Sequence, residues 1–178
     1  MKQKPKITYN EIKFDSKEEL EFYWWCEEAK EHGIIKDFIY HDFNPIVLSE
    51  KTTYYVEKKL KTKTKVIEKT VFREHSYKHD FEIELFEGVN NIFKTIHNKR
   101  YAFIDVKGTF QQNDGQRSFS INQKWVYAKL GIYIEKIIPK EFFKKTWVPE
   151  KARYTPKTKK LRTTYAGYKT IDDYLEVI

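Results

Sequence analysis

The chain has 178 residues, of which 40% are hydrophobic and 17% aromatic, enough to bury one core of ordinary size but hardly two. Lysine and arginine outnumber aspartate and glutamate by 34 to 26, a formal charge of +8, which favours nucleic acid as a partner ahead of an anionic membrane. No stretch approaches the roughly 18 apolar residues of a membrane span, and no signal peptide is recognisable. The lone Cys26 excludes a disulfide framework. We therefore expect a soluble, cytoplasmic protein with one main core.

The first predicted element is a helix that begins after Ser16 and ends near His32. Ser16 and Glu19 match the capping-box pattern, and Gly33 is a natural C-terminal stop. Hydrophobic residues then recur at helical spacing and predict one buried stripe. The stripe consists of Phe22, Trp25, Cys26 and Ala29.

Several extended segments follow. Residues 37–48 are interrupted at Asn44-Pro45, and a long hairpin is predicted from the β-rich runs 52–56 and 66–72. Its lysine-rich tip, residues 58–65, either contacts DNA or blocks pairing between sheet edges. Residues 77–86 alternate between apolar and acidic positions, which predicts a half-buried strand. The apolar positions are Phe81, Ile83 and Leu85, and the acidic ones are Asp80, Glu82 and Glu84.

The second half of the chain predicts a central strand, two helices and a further strand. Residues 101–107 are apolar on both faces until their end, as expected of a strand inside a sheet. A helix from Ser118 or Ser120 to Lys129 leads into a strand at 132–138, and Thr170 begins a short terminal helix. This order predicts a mixed α/β fold with one principal sheet.

Charge divides the chain near Pro139. Residues 140–169 contain ten basic and two acidic residues, so we predict a core over 1–139, with a hairpin insertion at about 49–75, and a basic C-terminal extension over 140–178. Aromatic residues interleaved with the charges indicate a surface that neutralises phosphates and stacks on bases; a solvated tail is the alternative. These aromatics are Trp147, Tyr154, Tyr165 and Tyr168. The predicted nucleic-acid-binding residues here are Lys144, Lys145, Arg153, Lys157, Lys159, Lys160 and Arg162.

A carboxylate and an amine are expected to project together from the end of the central strand. Strand periodicity places Asp105 and Lys107 on one face and Val106 on the other, with Gly108 leaving room for a nucleic-acid backbone. Mg²⁺ needs one or two carboxylates plus substrate phosphate, which Asp105 and Asp80 supply if their strands are neighbours. The Val106 carbonyl adds another oxygen, and Lys107 stabilises or deprotonates the attacking water. The pattern predicts metal-assisted phosphodiester hydrolysis.

Each of these residues has a simpler interpretation. Asp105 and Lys107 can form an ion pair at the margin of a sheet, and Asp80 can lie in water on a polar face. None of the histidines shows metal-binding spacing, and each is interpreted as structural or as a surface residue. They are His32, His41, His75, His79 and His97.

The same motifs resemble those of a nuclease superfamily. The helix with Glu19, YKHD at 77–80 and IDVKG at 104–108, followed by a helix and a strand, resemble the PD-(D/E)XK nucleases over about residues 12–138. Within this superfamily, FDSKEE at 14–19 together with DVKG at 105–108 is similar to phage-encoded endonucleases of the Holliday-junction-resolvase type. The resemblance implies a restriction-endonuclease-like mixed sheet flanked by helices.

The resemblance also implies roles for single residues. Asp80 and Asp105 are metal ligands, Lys107 is the catalytic lysine, and Glu19 reaches the metal directly or through water. Together with the Val106 carbonyl these residues form the predicted site for Mg²⁺, with Mn²⁺ as a substitute.

Three assignments stay open within this resemblance. Gln123 or Lys124 is an auxiliary polar residue on the second helix, and Lys124 is also a predicted nucleic-acid-binding residue. Periodicity does not separate Glu18 from Glu19, although the family register favours Glu19. His79 stands where the family carries proline, and is either a DNA contact or a strand residue.

The resemblance further implies an endonuclease that cuts branched or structured DNA as a homodimer. The alternatives are a non-catalytic nucleic-acid-binding protein and a nuclease subunit of a recombination or transposition complex.

Overall fold

The computed structural model describes residues 7–87, 92–95, 100–108, 114–155 and 158–177. Within them the strands are β1 (Ile7–Tyr9), β2 (Ile12–Phe14), β3 (Asp37–Tyr40), β4 (Ile46–Ser49), β5 (Thr52–Lys59), β6 (Thr64–Phe72), β7 (His75–Tyr77), β8 (Phe81–Glu84), β9 (Tyr101–Val106) and β10 (Ile134–Ile137). The helices are α1 (Lys17–Glu31), α2 (Asp114–Leu130), α3 (Pro139–Lys145), α4 (Glu150–Arg153) and α5 (Ile171–Leu175), with a 3₁₀ turn at Thr163–Tyr165. None of the helices in these ranges is long and apolar enough to cross a membrane.

Four strands form the principal sheet in the order β10-β9-β8-β3. β9 runs antiparallel to β8 and parallel to β10, and β8 runs antiparallel to β3. The parallel pair needs a crossover connection, which α2 provides. Ala102, Ile104 and Val106 of β9 are buried, as predicted for a central strand. The fold is therefore mixed α/β.

Helix α1 has the predicted start and end. The Ser16 side chain accepts a hydrogen bond from the Glu19 amide at 3.1 Å, which satisfies one of the free donors in the first turn. His32 caps the C-terminus, and Gly33 has a φ of 68°, the left-handed conformation that glycine adopts without strain. The predicted stripe is completely buried and joins the main core.

The prediction of a single strand over residues 77–86 is wrong. The chain leaves one sheet at Tyr77 and enters another at Phe81, so β7 pairs with β4 whereas β8 pairs with β3 and β9. The extended segment 37–48 is divided in the same way, between β3 and β4. Residues 46–77 therefore lie outside the principal sheet. The chain joins that sheet again at β8, which begins immediately after Asp80.

The predicted hairpin is present, and its strands are longer than expected. β5 and β6 pair along nearly their whole length, with a shift of register between Thr52 and Thr53, and leave only residues 60–63 as the turn. Helix α2 likewise begins at Asp114, four residues before Ser118.

The basic C-terminal segment contributes to the main core. Trp147 lies 4.7 Å from Trp25 between ring centroids, and its indole nitrogen donates to the Glu28 carboxylate at 3.0 Å. Tyr165 is also buried and donates to Glu21 at 2.5 Å. The prediction that Trp147 and Tyr165 stack on bases is therefore wrong, because these rings are already buried against helix α1 and its neighbours.

Candidate functional site

Glu19 faces the principal sheet from the first turn of α1 and is 7% exposed. One of its oxygens accepts from the Ser16 hydroxyl at 2.7 Å, and the other accepts from the Tyr40 hydroxyl at 2.6 Å. The carboxylate also accepts a longer bond, 3.3 Å, from the Asp15 amide. Glu19 can therefore bond Ser16 at the start of the helix and face the principal sheet at the same time.

His41 follows β3 directly and turns toward the neighbouring strand. Its φ is 54°, an uncommon conformation for a residue with a side chain, and its ring stacks on Tyr40 at 4.2 Å between centroids. The ring nitrogen Nε2 lies 3.1 Å from Asp80 Oδ1, and the backbone amide donates to the Asp80 carbonyl at 3.1 Å.

Asp80 lies immediately before β8 and is only 9% exposed. Its second carboxylate oxygen accepts from the Val106 amide at 2.6 Å, and its own amide donates to the Ile104 carbonyl at 2.9 Å. Because β8 and β9 are neighbours, these bonds fix the carboxylate at the end of β9. The condition on which a joint role of Asp80 and Asp105 depended, that their strands be neighbours, is therefore met.

Glu19, His41 and Asp80 each bring one ligand atom to within 4.8 Å of the other two. Ligand atoms about 2.0–2.6 Å from one ion lie at most roughly 5 Å apart, so this spacing suits a single cation. His41 was not among the predicted ligands, since its spacing from the other histidines gives no metal pattern. Only the pairing of β3 with β8 brings it beside Asp80.

Asp105 lies at the end of β9 beside this cluster and is 2% exposed. The Lys107 ammonium lies 2.6 Å from Asp105 Oδ2, and the Lys107 side chain is 43% exposed. Burial above all, and then the charge of Asp80, raise the pKa of Asp105 to about 6, although Lys107 acts in the opposite direction. Asp105 is thus a neighbour of the three-residue cluster, joined to it through Asp80.

The predicted Val106 carbonyl is not the group that this structure brings to Asp80. The observed contact is the Val106 amide, which donates to the carboxylate. The predicted role of the Val106 carbonyl as an oxygen ligand of the ion is a separate matter and stays a prediction.

Burial also shifts the pKa of Glu19 and of two tyrosines beside the cluster. It raises the pKa of Glu19, assisted by the charge of Asp80, while the hydrogen bonds from Tyr40 and Ser16 lower it. Burial and the bond to Glu19 raise the pKa of Tyr40, so that its hydroxyl remains a donor. The Tyr77 hydroxyl is affected in the same direction by burial and by the charges of Asp105 and Asp80, which raise its pKa.

His79 is a structural residue. It is almost completely buried, stacks on Phe43 at 4.3 Å between centroids, and lies 3.1 Å from Glu82 through Nε2. Burial lowers the pKa of His79 to about 4, so the ring is neutral at physiological pH. Burial leaves the ring little surface for a DNA contact, and His79 lies in the link between β7 and β8, so it is not a strand residue either.

The structure places Glu19, and not Glu18, in the cluster with Asp80. Glu19 belongs to the cluster, whereas a carboxylate oxygen of Glu18 lies 3.5 Å from the position that a Cβ would take on Gly108. Glu18 therefore occupies one side of the space that Gly108 was expected to leave open. On α2, Gln123 donates to the Ile134 carbonyl at 2.6 Å and holds the helix to β10, whereas Lys124 is exposed.

The predicted DNA-binding residues of the C-terminal segment differ in whether their side chains are exposed and without an acidic partner. Arg162 is committed to Glu21 at 2.8 Å, and Lys144 pairs with Glu141 at 2.8 Å. Arg153 is half-buried. The side chains of Lys145, Lys159 and Lys160 are exposed, and Lys157 lies outside the described residues.

Comparisons of this chain with protein-family models, with curated proteins and with solved structures each find no match. The site is therefore interpreted from its own residues.

Proposed function

We propose that this protein is a metal-dependent DNA endonuclease that hydrolyses phosphodiester bonds. One observation carries the proposal: the buried Asp80 lies beside both Glu19 and Asp105, which are also buried, at one end of the principal sheet, and the Lys107 ammonium contacts Asp105. Burying several carboxylates together is costly unless cations offset their charge. Lys107 provides one positive charge, and a bound divalent ion would provide two more.

The donor set fits a divalent cation. Carboxylate oxygens suit Mg²⁺ and Mn²⁺, whereas the imidazole of His41 suits transition metals better. We propose that Asp80, Asp105 and Glu19 hold the ion, with His41 as a further ligand, and that Mg²⁺ or Mn²⁺ supports activity. When bound, the ion would polarise the scissile phosphate and lower the pKa of a bound water.

Lys107 is the proposed catalytic amine. Its ammonium lies 2.6 Å from the buried Asp105 carboxylate, while 43% of the side chain is exposed, so we propose that it faces a phosphate that approaches from solution. In that position the ammonium offsets the negative charge that develops on the phosphorus centre. Tyr40 is a positioning residue, because its hydroxyl bond fixes the orientation of Glu19.

The order of elements supports the restriction-endonuclease-like fold as part of the proposal. A helix with Glu19 precedes three antiparallel strands, and a second helix leads to a strand parallel to the third. Asp80 precedes the second of these strands, and the Asp105-Lys107 motif ends the third. Branched or structured DNA as substrate and a homodimeric assembly come from the resemblance alone.

A non-catalytic nucleic-acid-binding protein is the second candidate. It is favoured by the ion pair between Asp105 and Lys107 and by the bond between His41 and Asp80, which already partner much of the cluster without an ion. A nuclease subunit of a recombination or transposition complex would share the site and differ only in its partners.

Cleavage assays distinguish these candidates. The protein is incubated with a four-way junction and with linear duplex, in Mg²⁺, Mn²⁺ or chelator. We expect cleavage that depends on the ion, and we expect Asp105→Asn to keep binding while losing cleavage. Asp172→Asn, an exposed aspartate on α5, is the control and should cut as wild type does. Binding without cleavage in either ion would contradict the enzyme and leave the binding protein.

A further inference from the structure

The hairpin projects from the rest of the fold as a ribbon, here called the arm and defined as residues 52–72. Among the described residues, its two strands pair only with each other. Every arm residue is exposed except Thr53, Val56 and Ile67, which are half-buried. The arm therefore contributes little to the core. Its amino-acid composition is instead related to the solvent or to the partner that its surface contacts.

Charge is segregated between the two faces of the arm. Residues directly opposite one another in the ladder share a face, and successive residues alternate. The register places three lysines on one face, called the lysine face, with no acidic residue among them. The lysine face consists of Tyr54, Val56, Lys58, Lys65, Ile67 and Lys69. The opposite face, called the mixed face, carries Lys59 together with Glu57 and Glu68.

Two lysines of the lysine face oppose each other directly. Lys58 pairs with Lys65 across the ladder, and like charges at such positions destabilise a strand pair. Lys61 and Lys63 add further positive charge in the adjoining turn. The described neighbours of Lys58 and Lys65 on this face supply no opposing charge, so the arrangement favours an external anion.

Protection against edge pairing explains the lysines only in part. Lysine on an exposed strand discourages pairing with another sheet, but this effect does not require all charge of one sign on one face. A face that carries charge of only one sign is instead what binding to an anionic surface requires. The mixed face, where Lys51 lies 3.4 Å from Glu68, is partly neutralised internally.

The dimensions of the arm suit duplex DNA. An eight-residue strand spans roughly 26 Å at about 3.3 Å per residue, and the DNA major groove, about 12 Å wide, admits a two-stranded ribbon. From these observations we infer that the lysine face of the arm binds the phosphate backbone of a DNA duplex, with the ribbon lying along a groove. The inference rests on the proposed function for the identity of the partner as DNA.

The test compares equal reductions of charge on the two faces. Lys58→Ala with Lys65→Ala removes two charges from the lysine face, and Lys51→Ala with Lys59→Ala removes two from the mixed-face side. Both pairs are made in the Asp105→Asn background and measured in chelator, so that cleavage does not enter. Binding to a 30-base-pair duplex and to a four-way junction is followed by fluorescence anisotropy across a salt series.

We expect the lysine-face pair to weaken binding by on the order of tenfold or more at 0.1 M salt, and to reduce the salt slope by about 0.9 for each phosphate that is no longer neutralised. The mixed-face pair should change affinity by less than about twofold. Equal weakening by both pairs would overturn the assignment of the face, and unchanged binding in both would overturn the arm as an interface. Circular dichroism establishes that each variant is folded.

Two further measurements exclude other occupants. Binding to vesicles of anionic phospholipid without binding to duplex would overturn the inference in favour of a membrane. A lysine-face pair that changes the oligomeric state in light scattering, while DNA affinity stays constant, would overturn it in favour of a second copy of the chain. Wild-type protein that never cuts DNA would contradict the proposed enzyme but not the arm, because arm binding is measured without cleavage.

Discussion

The buried cluster at the sheet end and the arm both gather like charges, but they do so in opposite environments. Asp80 and Asp105 are almost inaccessible and depend on partners from other elements, namely His41, the Val106 amide and Lys107. Lys58 and Lys65 are exposed and adjacent only through their own hairpin. Charge repulsion is strong in the first case and screened by water in the second. A change in the cluster should therefore affect both chemistry and stability, whereas a change in the arm should mainly affect binding.

The largest expected effect is on cleavage. Asp80→Asn keeps the shape of the side chain but removes a full negative charge from the proposed ion site, and Asn cannot accept both the His41 and the Val106 bonds in the same way. We expect cleavage to fall on the order of 10²- to 10³-fold, measured under single-turnover conditions. Asp37→Asn, an exposed residue of β3, is the control. Cleavage by Asp80→Asn at the wild-type rate would remove the cluster from the chemistry.

The stability of the cluster without metal should depend on pH. The pKa of Asp105 is raised to about 6 from an ordinary 3.8, so the folded state binds this proton more tightly than the unfolded state. Its stabilising contribution is complete below about pH 3.8 and is lost as the pH rises through 6. Ionised Asp105 then lowers the free energy of unfolding by roughly 3 kcal/mol at most.

Asp105→Asn should consequently be more stable than wild type at pH 8 in chelator, and the difference should shrink toward zero near pH 4. Urea denaturation at a series of pH values measures this difference. A variant that is less stable than wild type at pH 8 would mean that the ion pair with Lys107 outweighs the cost of burial.

A smaller effect is expected on metal affinity. His41 adds one nitrogen to a site that already has carboxylates, so His41→Ala should weaken Mn²⁺ binding by about 10- to 100-fold, the range that supporting residues of metal sites show. Isothermal titration calorimetry measures the affinity. His32→Ala, at the exposed end of α1, should bind Mn²⁺ as wild type does; equal affinities in all three proteins would exclude His41 from the site.

The smallest effect is expected in the arm. Lys58→Glu converts a like-charge pair with Lys65 into an opposite-charge pair, which should stabilise the hairpin by less than about 1 kcal/mol. Slower hydrogen exchange at the arm amides would show this, with no change at the amides of β9. Faster exchange at the arm would mean that the cross-strand repulsion is absent in solution.

Much of the site follows from short sequence patterns. The strand pattern at 101–107 predicts that Asp105 and Lys107 project together, and Asp80 was expected beside them if its strand were a neighbour. The structure makes β8 and β9 neighbours and joins Asp80 to both Asp105 and Glu19. His41 is different, because no spacing along the chain connects it to Asp80. Its place depends on the hydrogen-bond register between β3 and β8.

Features that depend on neighbouring residues follow from the order of amino acids alone. These are the cap and buried stripe of α1, the central strand β9 and the lysine-rich hairpin of the arm, because helical and strand periodicities act over a few residues. The burial of Trp147 and Tyr165 and the contact between His41 and Asp80 become apparent only in the folded chain. Those outcomes depend on which distant surfaces pack together, and burial and strand pairing are properties of the whole fold rather than of any segment.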